Sequence, residues 1–269
     1  MSILIEPSAE TCLLAIRWLL FLSMTIASLQ NIANTLAYSA RGLLAWPFLK
    51  YVYQYAFFEA PAFNTLFGRT GLLTLNLVRL TLLVAGAASY ALPWVLTGLF
   101  VIQIALYLRG FLTVSAADQV TTIILIYLLV NAWLPSAGTL CLCGIAIQTL
   151  FCYFANGLIK TLEPRWTSGV HLKAILLTEN YSRKFIAKKA KRTGLPVFRL
   201  LSRIVIIWEL AALAAPFLPT TLLWVFLGFG ILFHLAIALV LGLNTFFWSF
   251  ISTYPAILFL NKKVDDLFR

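Results

Sequence analysis

The membrane character of this chain is plainest in residues 139–162, TLCLCGIAIQTLFCYFANGLIKTL. This stretch exceeds the roughly 20 apolar residues that an α-helix needs to cross a bilayer core. Tyr153, Asn156, Gly157 and Lys160 are spaced i, i+3, i+4 and i+7, so they share one face of the predicted helix. A lysine there is costly unless it has a partner, water or a function. Lys160 therefore either extends to the interface with its ammonium in water or is held inside a bundle.

Composition extends this interpretation to the whole chain. Hydrophobic residues make up 62% of the 269 residues, charged residues 11%, and the mean hydropathy is +0.94. Soluble domains are about a quarter charged, so a soluble protein is excluded. The length fits about seven or eight spans with short loops. We predict an all-α, polytopic transmembrane helix bundle with interfacial helices, forming a single integral membrane domain over residues 1–269.

The apolar runs and their breakers predict where these spans lie. Arg17 interrupts the first span, Pro93 begins the third, and Pro135 with Gly138 separates the fourth from the fifth. The predicted spans are 11–29, 70–91, 93–109, 118–134, 139–162, 196–216 and 222–243. A last apolar stretch, 245–260, is short for a full crossing, and we interpret it as an eighth, tilted span or a half-helix.

Basic residues cluster in one loop rather than over a surface. The chain has a formal net charge of +11, of which residues 163–203 contribute ten Lys and Arg against two Glu. This pattern argues against nucleic acid as a partner and indicates a cytoplasmic loop, centred on 163–197, beside the lipid bilayer. The connections near Pro93, Pro135 and Pro219 carry no charge, and they alternate with the basic ones. We therefore predict a multi-pass protein of the cell membrane with its N-terminus outside.

Two stretches outside the spans have the composition of interfacial segments. Residues 30–69 are rich in aromatic side chains, which predicts an interfacial or re-entrant helix, or else a loop packed on the bundle. Residues 170–192, within the basic loop, are predicted to form one amphipathic helix on the membrane surface. The four cysteines lie in apolar runs without metal-ligand spacing, and the chain has two histidines, so no metal site is expected.

Ionisable side chains inside the spans are the candidate functional residues, because a buried charge persists where it pairs or functions. Arg79 and Glu209 lie several residues from their span ends and are candidates for a mutual ion pair, with Arg17 as a competing partner for Glu209. His234, one turn after Gly230, is either a hydrogen-bonded core residue or a group that titrates near neutral pH. The full set is Arg17, Arg79, Asp118, Lys160, Glu209 and His234.

Several short motifs, in order, resemble one family. Tyr153-x3-Gly157-Leu158-x-Lys160 is followed by Trp166 and Gly169. Further along come Glu209-Leu210 with Pro216, Phe233-His234, and Phe246-Phe247-Trp248. From about residue 65 to 269 this order is similar to that of the HTTM domain, which the vitamin K-dependent gamma-carboxylases share. Asp118 stands where that family often has Gly-Asp, and Phe247 stands where the family commonly has Pro.

The resemblance implies an intramembrane site in which a lysine acts as base on a reduced quinone such as vitamin K hydroquinone. It assigns catalytic roles to Lys160, His234 and Glu209; aligned from Leu162, the base position is Thr161. The candidate ligand-binding residues are Tyr153, Asn156, Gly157, Trp166, Arg79 and Trp248. The expected cofactor is vitamin K hydroquinone or another quinone, and the expected partner is a small lipophilic ligand or a membrane peptide.

The sequence leaves open whether the chain is an enzyme. One interpretation is a small HTTM protein that binds a quinone-like molecule, with Lys160 as base or as a cation that orients the ligand. A second is a non-enzymatic accessory protein for toxin or peptide maturation or export. A third is a small transporter that uses the buried charges as a path. Convergence of Lys160, Glu209 and His234 in space favours the first.

Overall fold

The chain folds into helices joined by short connections. A computed structural model describes residues 8–39, 42, 44–53, 60–110, 115–178 and 183–268, and no strand occurs among them. The helices are α1 (Ala9–Ala33), α2 (Trp46–Tyr53), α3 (Pro61–Phe67), α4 (Arg69–Ala87), α5 (Leu92–Arg109), α6 (Ala116–Trp133), α7 (Gly138–Leu162), α8 (Pro164–Thr167), α9 (Val170–Leu177), α10 (Lys184–Arg192), α11 (Leu195–Leu210), α12 (Thr220–Leu241), α13 (Asn244–Ile251) and α14 (Tyr254–Phe268). The predicted all-α fold class is confirmed.

Seven helices in the described part of the chain are long and apolar enough to cross a membrane. They are α1, α4, α5, α6, α7 with the preceding turn from Pro135, α11 with the 3-10 helix Ala211–Phe217, and α12. Their bounds lie close to those predicted from the apolar runs. The chain is therefore a multi-pass integral membrane protein.

By backbone contacts the chain divides into two compact units. Unit 1 comprises Met1–Leu19 and Ser136–Arg269, and unit 2 comprises Leu20–Pro135, so α1 begins in the first and ends in the second. In unit 2, α5 packs between α4 and α6, and α3 packs on α4. In unit 1, α7 packs against α11 and α14, and α12 packs against α13. The single domain over residues 1–269 stays a prediction.

Residues 30–69 contain two short helices, α2 and α3, after the end of α1. Trp46 is only 2% exposed, and its ring contacts Phe67 with centroids 4.8 Å apart. Its indole N–H donates to Asn64 Oδ1 over 3.1 Å. Tyr51 on the same helix is 77% exposed. The aromatic residues thus divide between a small core and an outer face, while Tyr55, Phe57 and Phe58 lie outside the described residues.

Two charged residues in unit 2 stabilise helix ends and the segment before α2. Asp118 is the third residue of α6 and forms a capping box with Ser115: its Oδ2 accepts from the Ser115 amide at 2.9 Å and hydroxyl at 2.8 Å. Arg109 at the end of α5 donates to the carbonyl oxygens of Phe67 and Leu44, each over 2.9 Å. Asp118, treated above as an ionisable residue of a span, is therefore a helix cap.

The last apolar stretch forms two helices in tandem, α13 and α14. The helix breaks at Ser252 and Thr253 because Pro255 has no N–H for the carbonyl four residues earlier. Asn261 on α14 donates to the carbonyl oxygens of Pro216 at 3.0 Å and Leu218 at 2.8 Å. These carbonyls lie just before α12, whereas α13 begins just after α12 ends. The two helices therefore run back along α12 over about 26 Å, close to the ~30 Å of a bilayer core.

The prediction of one amphipathic helix over 170–192 is wrong. Helix α9 ends at Leu177 because Thr178 has the extended backbone angles φ −75° and ψ 118°. A separate helix, α10, begins at Lys184 and packs on α9. Ala187 and Ala190 on α10 are buried while its lysines are exposed, so the amphipathic pattern holds for α10 alone.

Candidate functional site

One face of α7 contacts α11 in unit 1. Tyr153 and Gly157 are buried on this face, and Lys160 follows one turn later. A Cβ atom on Gly157 would lie 2.9 Å from Glu209 Cβ and 3.0 Å from the Leu210 backbone nitrogen. Only a hydrogen atom fits between the two backbones here. The glycine therefore brings α7 close enough for its polar side chains to reach α11.

Lys160 on this face forms an ion pair with Glu209 on α11. The Lys160 ammonium donates to Glu209 Oε1, and the side chains are 16% and 4% exposed. The sequence offered Arg79 and Arg17 as partners for Glu209, but the pair forms with Lys160 instead. Glu209 Oε2 is buried and has no hydrogen-bond partner in the described part of the chain. The site thus contains a carboxylate with one oxygen paired and the other unsatisfied.

Glu209 lies away from either end of its own span, whereas Lys160 lies two residues before the end of α7. Glu209 lies eight residues before Phe217, mostly in 3-10 helix, and fourteen after Leu195, which corresponds to about 15 Å and about 21 Å along the helix axis. The Lys160 ammonium is thus paired with Glu209 of a neighbouring helix, and its depth in the bilayer stays a prediction. The amine also lies 5.3 Å from the centroid of the Trp166 ring, a cation–π distance.

A second set of polar contacts joins α7, α12 and α14. Tyr153 Oη and His234 Nε2 are 2.7 Å apart, and Tyr153 Oη lies 3.4 Å from Tyr254 Oη. His234 is 1% exposed and stacks on Phe250 with centroids 4.6 Å apart. His234 Nδ1 is buried and has no partner among the described residues. The three side chains form a short row of hydrogen-bonding groups enclosed by rings.

Gly230 on α12 permits this row to form. A Cβ there would lie 2.1 Å from Tyr254 Oη and 2.8 Å from Trp208 Cζ2. Trp208 in turn packs on Tyr153 with centroids 4.8 Å apart and donates its indole N–H to the Phe226 carbonyl over 3.0 Å. A side chain at position 230 would therefore block the approach of α12 to Tyr254 and Trp208. Trp208 directly precedes Glu209 in sequence, so α11 contacts the row through Trp208, while α7 contributes Lys160 to the ion pair and Tyr153 to the row.

The other predicted ligand-binding residues are arranged differently. Asn156 is exposed and donates to the Cys152 carbonyl of its own helix at 2.8 Å, so it does not face Glu209. Trp248 is half-buried and contacts Phe247 with centroids 4.9 Å apart. Arg79 belongs to unit 2. The catalytic and ligand-binding roles of all these residues stay predictions.

Sequence reasoning missed two members of the site, Trp208 and Tyr254. Tyr254 lies beyond the last predicted full span, and only the reversal of α13 and α14 along α12 brings its hydroxyl to α7. The Trp-Glu pair at 208–209 was a usable signal, because an indole N–H inside a membrane needs an acceptor. Among the described residues no group of three or more His, Cys, Asp or Glu is arranged to hold a metal ion.

Comparison of the chain with known protein families, with curated proteins and with solved structures gives no match. The resemblance to the HTTM domain therefore rests on the motif residues alone and stays a prediction.

Proposed function

We propose that this chain is an HTTM-type membrane protein that binds a lipid-soluble, quinone-like molecule at the Lys160–Glu209 pair. The observation that carries the proposal is Glu209 Oε2, a buried carboxylate oxygen without a hydrogen-bond donor in the described part of the chain. Leaving such an atom unsatisfied inside a protein is destabilising by about 1–3 kcal/mol or more. A hydroxyl group of a bound hydroquinone would satisfy it.

The spatial arrangement of the motif residues supports the family assignment. The motif on α7 contacts the Glu-Leu motif through Gly157 and Lys160, and it contacts the histidine motif through Tyr153 and His234. These segments are 49 and 81 residues apart in the chain, so the contacts are not a consequence of sequence proximity. Motifs that share one site are expected to meet in this way.

The residues present fit a hydroxyl-bearing aromatic ligand. Glu209 Oε2 offers an acceptor, Lys160 offers a cation, and Trp166 offers a ring face beside that cation. Lys160 is 16% exposed, so the pair is reachable at the amine although Glu209 is buried. When bound, a hydroquinone supplies two hydroxyl groups and the capacity to be oxidised.

The ion pair changes the roles that the resemblance assigns. Lys160 donates its hydrogen to Glu209 Oε1 and so is not a free acceptor in this arrangement. Glu209 Oε2 is the group in position to accept a proton from a ligand hydroxyl, and the Lys160 ammonium would balance the negative charge left on the ligand. We therefore assign the base to Glu209 and the stabilising cation to Lys160.

Binding of a soluble short-chain hydroquinone to the purified protein tests the proposal. In detergent, binding is followed by quenching of tryptophan fluorescence, since Trp166 lies at the site. We expect Glu209→Gln to weaken binding about tenfold or more, as loss of a charge-assisted hydrogen bond does. The matched control is Asp266→Asn, which alters an exposed carboxylate on α14 and should bind like the natural protein.

The proposal fails if the natural protein binds the hydroquinone no better than empty micelles do. It also fails if Glu209→Gln binds equally well while retaining the thermal stability of the natural protein. Mass spectrometry of lipids that co-purify with the protein gives an independent readout, because a quinone should be present with the natural protein and depleted with the variant.

One observation favours a second function. The close approach of α7 and α11 at Gly157 is also what a purely structural ion pair between two helices would require. In that case the chain is a non-enzymatic accessory membrane protein. The transporter alternative stays a prediction.

For orientation, we propose that the N-terminus lies outside the cell membrane and the 163–197 loop in the cytoplasm, supported by the alternation of charged and uncharged connections.

A further inference from the structure

Unit 2 contains another group of polar side chains, some partly and some fully buried, which the proposed function does not use. They come from α1, the turn after it, α4, α5 and α6, and they are Asn31, Tyr38, Asn76, Arg79, Gln103 and Asp118. Asn76, Arg79 and Gln103 are each at most 3% exposed. Polar groups at these depths need hydrogen-bond partners.

The asparagines and the tyrosine satisfy one another. Tyr38 Oη donates to Asn31 Oδ1 over 3.1 Å, and Asn31 Nδ2 donates to Asn76 Oδ1 over 3.3 Å. Asn76 Nδ2 donates to the Leu72 carbonyl over 2.8 Å. Burial raises the pKa of the Tyr38 phenol, which keeps its hydrogen in place as the donor of this chain. These contacts leave no acceptor for Arg79, one turn further along α4.

Arg79 is the unsatisfied member of the group. Its Nε is buried and has no acceptor, and no carboxylate in the described part of the chain lies within ion-pair distance of its guanidinium. Asp118 interacts with Arg79 electrostatically, but its Oδ2 accepts the two hydrogen bonds of the α6 cap. A guanidinium does not lose its proton in proteins, so this buried cation requires an acceptor for Nε that the described part of the chain does not supply.

Gln103 on α5 presents a complementary unsatisfied atom. Its Nε2 donates to Thr122 Oγ1 over 3.3 Å, and that hydroxyl donates in turn to the Asp118 carbonyl over 2.7 Å. Because the Thr122 hydrogen is already used, the amide nitrogen of Gln103 faces it and the oxygen faces away. Gln103 Oε1 is buried and has no donor among the described residues.

The packing of α4 on α5 places Arg79 and Gln103 at a similar level along their helices. A Cβ on Gly98 would lie 3.0 Å from Leu82 Cδ1, which fixes the level at which the two helices meet. They are sequential neighbours joined by a short connection and therefore antiparallel. Arg79, three residues before Leu82, then lies opposite about residue 101, within one turn of Gln103. Arg79 and Gln103 therefore lie at a similar level on neighbouring helices.

Arg79 also extends toward the basic end of the unit. Side chains on a helix lean toward its N-terminus, so the guanidinium extends toward Arg69, about 15 Å along α4. The first turn of α6, which carries Asp118, is electrostatically close to it. On the same helix Leu77 and Val78 are 55% and 45% exposed, so α4 has an apolar outer face beside Arg79 along which an acyl chain can lie.

We propose that Arg79 binds the phosphate of an anionic phospholipid whose head group carries a hydroxyl. The phosphate oxygens accept from the guanidinium, which suits bidentate recognition of oxyanions, and the hydroxyl donates to Gln103 Oε1. The acyl chains lie along the exposed face of α4. Asp118 disfavours a second negative charge nearby, so a head group with one phosphate is preferred over one with several.

Delipidated full-length protein tests this site through thermal stability and retained lipid. We expect phosphatidylglycerol, but not phosphatidylcholine, to raise the melting temperature of the natural protein. In Arg79→Gln the rise should be lost, and co-purified phosphatidylglycerol should fall about tenfold, as for loss of a charge-assisted hydrogen bond. Arg69→Gln, an exposed arginine at the start of α4, is the matched control and should behave like the natural protein.

The other outcomes are equally clear. Equal stabilisation of both proteins by phosphatidylglycerol, or equal retained lipid, overturns the proposal. Stabilisation of the natural protein by inorganic phosphate alone, lost in Arg79→Gln, keeps an oxyanion site but overturns its assignment to a lipid. If Arg79→Gln does not fold, Gln103→Leu replaces it, because removing the orphan acceptor should weaken the preference for phosphatidylglycerol over a phospholipid without head-group hydroxyls.

Discussion

Replacing Gly157 with alanine tests the contact on which the site depends. The new Cβ would lie 2.9 Å from Glu209 Cβ, 3.0 Å from the Leu210 nitrogen and 3.2 Å from the Glu209 carbonyl carbon. Ordinary contacts of this kind are 3.4–4 Å, so α7 and α11 must separate by several tenths of an ångström. Two of the three atoms are backbone, so a side-chain rotation cannot relieve the clash.

The expected loss of unfolding free energy in Gly157→Ala follows from comparison with Gly228→Ala. Gly228 lies within α12, and a Cβ there meets nothing within 4 Å. Both substitutions gain the same helix propensity, about 1 kcal/mol, so their difference isolates the overpacking at Gly157. Overpacking a close contact is destabilising by about 1–3 kcal/mol. We therefore expect Gly157→Ala to unfold at a free energy roughly 2 kcal/mol below that of Gly228→Ala.

The assay is reversible unfolding of the purified protein in mixed micelles with increasing sodium dodecyl sulfate, followed by tryptophan fluorescence. Because Glu209 carries the atoms that the new Cβ displaces, hydroquinone binding should weaken in Gly157→Ala and persist in Gly228→Ala. Equal stabilities of the two variants would refute the close approach of α7 and α11. Lower stability with unchanged binding would separate the packing from the site.

Two further predictions use other contacts of unit 1. In a double-mutant cycle, Lys160→Met and Glu209→Leu alone should each lower the free energy of unfolding by about 3–5 kcal/mol, because each leaves a buried charged partner unpaired. The double variant should recover most of this loss. Two single variants that are each as stable as the natural protein would contradict the ion pair. In a protein freed of its native cysteines, Lys263→Cys and Lys188→Cys should react with a membrane-impermeant maleimide from opposite sides of the membrane. The reason is that α13 and α14 run back along α12. Labelling of both cysteines from the same side would contradict an eighth crossing.

The spans were predictable because the bilayer core restricts the backbone conformation of any long apolar run, whatever its particular side chains. Every backbone polar group must be satisfied within the core, so each long apolar run has one stable conformation, a helix. The face of α7 that carries Tyr153, Gly157 and Lys160 followed from the helical repeat alone. The cap formed by Ser115 and Asp118 was equally readable from the S-x-x-D spacing, although Asp118, at the start of a predicted span, was counted among the candidate functional residues.

Pairing was not predictable from these patterns. Sequence periodicity assigns a residue to a face of a helix, but it contains no information about which helix that face meets or at what depth. Glu209 was therefore matched to Arg79 or Arg17, whereas the contact at Gly157 brings Lys160 to it. The break between α9 and α10 at Thr178 was missed for a related reason. The extended backbone of Thr178 ends α9, whereas the alternation of apolar and basic residues continues past it.

The amino-acid sequence by itself determined that this protein is helical, crosses the membrane repeatedly and carries costly charges within its spans, because the free energy of burying polar groups in lipid depends on composition and length. Only the tertiary structure decided which of these charges meet. Tyr254 reaches Tyr153 only after α13 and α14 turn back along α12, and Arg79 Nε is left without an acceptor among the described residues. Such contacts depend on the approach of helices far apart in the chain, which hydropathy and periodicity do not specify.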